Sequence, residues 1–213
     1  MTGRFIPILF LATGFLYPFQ TQAHSIQTLI AEAMHECHLG RVAQDRAVRL
    51  AHFEEGQRLG EQAVVLDDQE AEAHFAVFCN LGELMRVDGE LRITSVMSFR
   101  RLINELDRTL ELAPEHLDAL SPRGTLLVRL PYVLGGDRDK GEQLLQYVIE
   151  QEPTSINARL SLAKSYANHG RSQEALALAS EALSLAKTQQ RDDFIPEATK
   201  FISQLRATAN KAN

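Results

Sequence analysis

Residues 156–187 read INARLSLAKSYANHGRSQEALALASEALSLAK, and their spacing decides the fold. Leu162-Ala163 and then Tyr166, three residues on, share one helical face. Gly170 ends that helix. Ala175, Ala179 and Ala182 recur at steps of four and three on the helix that follows. Small residues on facing helices let two backbones approach closely, so the stretch predicts an antiparallel helix pair. From Pro153 to Lys187, where a further helix would begin, is 34 residues.

Working outward, the same punctuation returns. Leu66-Asp67-Asp68, Leu112-Ala113-Pro114 and Gln151-Glu152-Pro153 each close an apolar-periodic stretch, and each is followed five residues later by an alanine: Ala73, Ala119 and Ala158. A repeated helix stop and start marks an array of helix pairs. The middle units are longer than the 34-residue one: 39 residues separate Pro114 from Pro153, and 46 separate Asp68 from Pro114. The excess is expected at 131–137 and at 86–95, two loops on one edge of the array. Val96, Phe99, Ile103, Leu106 and Leu110 form one apolar stripe. Phe194, Ala198, Phe201, Ile202 and Leu205 form another, opposite Lys200, Gln204 and Arg206, as a capping helix would. Gly56, Gly60 and Ala63 supply the small positions of an opening pair, whose partner helix is expected from Ser25 to about His38.

With its Leu-Ala, Tyr, Ala, Ala order at a 34-residue period, the chain resembles the tetratricopeptide repeat (TPR) family. Ala179 and Lys187 depart from that pattern, standing where an aromatic residue and a proline are usual. The resemblance implies an all-α, right-handed superhelical solenoid of antiparallel helix pairs, at about 25–68, 69–114, 115–153 and 154–187, with a cap at 192–209. Ala71-Glu72-Ala73-His74, Asn80-Leu81-Gly82, Pro131 and Leu134-Gly135-Gly136-Asp137 also look like periplasmic TPR proteins similar to the T-components of tripartite ATP-independent periplasmic (TRAP) transporters. Those are typically lipoproteins, and no cysteine closely follows the apolar run near the start of this chain.

That run, Phe5 to Phe19, follows Arg4 and precedes Thr21-Gln22-Ala23. The order is that of a secretory signal peptide over residues 1–23; an uncleaved anchor is the alternative. Cleavage predicts a periplasmic protein with no stable membrane insertion, and losing Arg4 takes the net charge from −6 to −7. That charge disfavours nucleic acid and anionic membranes as partners. Export permits a disulfide between Cys37 and Cys79, the two cysteines. Equivalent positions on neighbouring parallel helices lie roughly 8–10 Å apart, whereas a bond needs Cα atoms within about 7 Å, so buried free thiols are the expectation.

The remaining constellations read as structure. Leu134-Gly135-Gly136-Asp137 lacks the Lys-Ser/Thr and the preceding strand of a phosphate loop, and fits a helix stop followed by a cap. His35, Cys37 and His38 lack a fourth metal ligand. His24 could chelate copper only with a second histidine, and residue 26 is Ile. No nucleophile has a legible catalytic partner, so neither an enzyme nor a cofactor is expected. The function expected is binding of a partner protein or extended peptide on the concave face, or alternatively a TRAP-type accessory role. Projected from the TPR pattern, the groove candidates are Glu72, Phe75 and Cys79; Asp118, Ser121, Thr125 and Arg129; Asn157, Leu160, Lys164 and Asn168. Among these, Phe75, Arg129, Asn157, Lys164 and Asn168 are the expected partner contacts, with Arg129 and Lys164 forming a net-positive patch.

Overall fold

The computed structural model describes residues 25–88 and 93–212. The signal-like residues 1–23, His24 and the middle of the stretch 86–95 lie outside the described residues. What is described is helical, with no strand: α1 (Ile26–Val42), α2 (Arg46–Leu66), α3 (Ala71–Asp88), α4 (Ile93–Leu112), α5 (Leu117–Arg129), α6 (Arg138–Gln151), α7 (Ile156–Asn168), α8 (Ser172–Thr188) and α9 (Ile195–Ala212), with a 3-10 turn at Tyr132–Leu134. Local chemistry sets the boundaries. Ser25, Asp45 and Asp137 cap α1, α2 and α6 by accepting from Thr28, Val48 and Lys140 N–H at 3.0–3.2 Å. Gly135 and Gly170 adopt φ of +86° and +78°, which glycine supplies without strain.

Consecutive helices pack in antiparallel pairs, and the first helices α1, α3, α5 and α7 form an inner layer. Neighbouring helices approach where side chains are small. Ala33, Ala73 and Ala76 are fully buried between α1 and its neighbours. Gly60 lies against Val77, where a Cβ would sit 3.0 Å from the Val77 backbone nitrogen. Ala163 and Ala179 meet within one pair, under Ile202 of α9. The cap docks through Ala198, Ile202 and Leu205 and leaves Lys200, Gln204 and Arg206 in solvent.

Two expectations are corrected here. Cys37 and Cys79 are bonded, with Cα atoms 6.6 Å apart. The alanines just named, and an Asn80 side chain that donates across to the Ala33 carbonyl at 3.0 Å, hold α1 and α3 closer than larger side chains would allow. The 46-residue unit, in turn, does not place its excess mainly in a loop. Residues 86–88 and 93–95 are helical, and α3 and α4 are 18 and 20 residues long against 13 and 14 for α5 and α6.

One junction differs from the rest. At α3 and α5 the inner helices are held apart by Phe75 and Phe78, whose ring centroids lie 5.9 Å apart. Phe75 packs on Leu106 and Ala119 and against the His116 ring, 4.6 Å away. Across this junction His116 Nε2 lies 3.1 Å from the Glu72 carboxylate of α3, and behind it Arg123 of α5 pairs with Asp107 of α4 at 2.8 Å.

Candidate functional site

The inner helices wall a concave groove of about 560 Å³ that takes residues from α1, α3, α5, α7, the α6–α7 and α8–α9 connections and the start of α9. Its floor joins α5 to α7 through hydroxyl and amide contacts. The Asn157 amide donates to the Ser121 hydroxyl at 2.8 Å. The Thr125 hydroxyl donates to the Ser121 carbonyl at 2.9 Å and lies 2.8 Å from the Ser161 hydroxyl. These groups satisfy one another, so the floor is polar without being exposed and unpaired.

The charges along the walls divide into paired and unpaired. Arg41 and Arg86 both contact Glu83, at 2.8 and 2.6 Å. Lys164 is ion-paired with Glu197 of α9. Arg191 grips Asp193 at 2.8 Å; burial raises the Asp193 carboxyl, but the Arg191 hydrogen bond and charge, with the more distant charge of Arg41, hold it below its ordinary value. Arg129, Asn168 and Asp118 line the groove with no side-chain partner among the described residues. Glu152 stands with Asp118 at the same edge, and its carboxyl is pushed up by burial and then by the Asp118 charge.

All five expected contacts line this groove, but they do different things there. Arg129 and Asn168 are exposed and available. Asn157 is engaged with Ser121. Phe75, only 6% exposed, wedges α3 from α5 rather than presenting a ring to a ligand. Lys164 is neutralised by Glu197, so the expected Arg129–Lys164 positive patch reduces to Arg129. Among the wider candidates, Leu160 packs among Ile156, Ala182 and Ala198 in the core, because its helical face is turned toward α8 and α9. Glu72 lies beyond the groove's edge, in a second concavity that also takes in His116, Asp118 and Glu152. Cys79 contributes its bonded sulfur, which accepts from Arg41 at 3.2 Å.

Several groove residues escaped the sequence reading: Arg41, Phe78, Glu83, Arg191, Asp193 and Glu197. Arg41 belongs to the first pair, which has no clean period to project from; Arg191 and Asp193 in the α8–α9 connection and Glu197 on the cap lie outside the repeat pattern; and Phe78 and Glu83 stand on α3 beside the projected positions. Elsewhere, Asp137 caps α6 beside the left-handed Gly135, as the cap reading of that loop expects. His35 and His38 are exposed while Cys37 is buried and bonded, so the three share no site.

No family model matches the chain, and no curated protein matches it. Solved structures do share its architecture. TTC0263, a thermophilic TPR protein of Thermus thermophilus, is 20% identical with a TM-score of 0.52, over 84% of this chain and 99% of that one. The crystal structure of MamA AMB-1 is 21% identical with a TM-score of 0.48, over 88% of this chain and 94% of the other. The likeness to TTC0263 shows the fold: a right-handed, TPR-like superhelix of helix pairs.

Proposed function

We propose that this protein is an exported, non-enzymatic scaffold that holds an extended peptide or a segment of a partner protein in its concave groove. The observation that carries the reading is the groove itself, with its polar floor satisfied internally and Arg129, Asn168 and Asp118 left over on its walls. Side chains satisfied by one another stabilise the fold, and those left over are available to a ligand. The floor hydroxyls of Ser121, Thr125 and Ser161 are used on amides, carbonyls and each other, which supports binding over catalysis. The disulfide between α1 and α3 supports an oxidising compartment, in keeping with the signal-like residues 1–23. A TRAP-type accessory role draws less support, since a passage for a small organic ligand would favour apolar walls over these charged ones.

A photo-crosslinking residue placed at Asn168, in the groove, and at Gln146, exposed on α6, tests the reading in the native host. The expected result is a discrete protein adduct from position 168 that is absent from 146 and is lost on Arg129→Glu. Equal adducts from both positions, or adducts from 146 alone, would overturn it.

A further inference from the structure

The inner helices run parallel, so all their first turns lie at one edge of the groove and all their last turns at the other. Helices favour acidic residues in the first turn and basic residues in the last, because the macrodipole is positive at its start and negative at its end. This chain follows that rule at both ends of α3 and α5 and at the last turn of α1, whereas α7 carries no acid in its first turn and no base in its last. Glu72 and Asp118 stand in the first turns of α3 and α5, and Arg41, Arg86 and Arg129 in the last turns of α1, α3 and α5. Glu72 lies just beyond the groove, so Asp118 with Glu152 beside it makes the groove's acidic edge, and Arg41, Arg86 and Arg129 make its basic edge.

Internal pairing does not cancel that division. At the basic edge two arginines share the single carboxylate of Glu83, and Arg129 has no partner among the described residues. At the acidic edge Asp118 likewise has no partner, and Glu152 is already disfavoured as an anion by burial and by Asp118. Pro122, which lines the groove one turn along α5, has no N–H to give the Asp118 carbonyl, leaving a further acceptor there. An entirely acidic ligand would meet repulsion at one edge, and an entirely basic ligand at the other.

We infer that the groove selects a polypeptide segment of mixed charge, with basic side chains against Asp118 and Glu152 and acidic side chains against Arg129. This rests on the groove-binding reading above and specifies its ligand. Asp118 and Arg129 stand at opposite ends of α5, about 16 Å apart at a rise of about 1.5 Å per residue. An extended chain covers that distance in about five residues, so the opposite charges belong in separate blocks.

Fluorescence anisotropy of the full-length purified protein with labelled synthetic peptides of equal length tests this. One peptide carries three lysines and three glutamates separated by four neutral residues; the others keep only the lysines, only the glutamates, or neither. The block peptide should bind at least ~10-fold more tightly than any other, with the advantage shrinking as salt rises. Arg129→Glu should remove the contribution of the glutamates and not that of the lysines; Asp118→Asn with Glu152→Gln should do the reverse. A single-sign peptide that binds wild-type protein as tightly as the block peptide would overturn the inference. If binding is then still reduced by Arg129→Glu, the groove-binding reading survives alone. If no peptide's binding responds to either set of variants, both fall.

Discussion

At the scale of single residues, the close contacts come from absent side-chain atoms, and those were the most legible part of the sequence. The Leu-Ala-x-x-Tyr spacing placed Ala163 at a helix contact, where it is fully buried against Ala179 and Ile202. Ala163→Leu should overpack that contact and cost about 1–3 kcal/mol, read as a lower midpoint in urea; an unchanged midpoint would mean the register is wrong. Gly56 shows what spacing leaves out. A Cβ there would run into the side-chain amide of Asn80, a fully buried group that bonds the Ala33 and Ala76 carbonyls at 3.0 and 2.9 Å. Asn80 looks polar and therefore external in a sequence, and only the three-helix junction around it explains its burial. Asn80→Ala should cost about 1–3 kcal/mol by removing two buried hydrogen bonds and leaving a void at the three-helix junction. The disulfide is not legible in the sequence for a related reason, since a general interhelical distance does not show where alanines shorten it. It closes a loop between residues 42 apart, so reduction should lower stability by about 2–4 kcal/mol, a fall in Tm of roughly 5–15 °C for a chain this size.

Among elements, helix identity followed from periodicity, but relations between helices did not. The wedge of Phe75 and Phe78 between α3 and α5 is an example. Phe75 sits at a TPR groove position, yet its ring fills the seam and leaves little for a ligand. Phe75→Ala should therefore act on the fold, at about 3–5 kcal/mol. The polarised edges of the groove are a second example, for the first-turn acids of α3 and α5 and the last-turn arginines of α1, α3 and α5 can be read in the sequence, while their alignment needs the parallel stacking. Glu152 makes the acidic edge measurable. Its carboxyl is raised above an ordinary value near 4.5 by burial and by Asp118, so the folded state binds its proton more tightly than the unfolded chain does. Folding stability from this group is therefore lost as pH rises through that range. Glu152→Gln should be at least as stable as wild type at pH 7, and the difference should vanish below about pH 4; a less stable variant at pH 7 would contradict the assignment. Asp193 has the opposite sign. Held low by Arg191 against burial, it contributes stability above its ordinary value near 3.8 that is lost as pH falls further.

For the whole molecule, the repeat punctuation identified the solenoid and its cap, because helix stops and starts are local chemistry repeated along the chain. What the repeat could not carry was partnership at a distance. Lys164 sits in the predicted row, but its charge is met by Glu197, 33 residues later on the capping helix. Export is a prediction at this scale too: mass spectrometry of the mature protein should find His24 first, and an intact Met1 in a soluble cytoplasmic pool would contradict it. The central claim is that the concave side of the superhelix is the working face. Amide chemical shifts of labelled protein, titrated with the lysine–glutamate block peptide, test it most directly. The account predicts saturable shifts at Asp118, Thr125, Arg129 and Asn168, with Gln146 and Lys187 on the outer helices unmoved. Shifts confined to the outer helices, or no saturable shift in the groove, would contradict it.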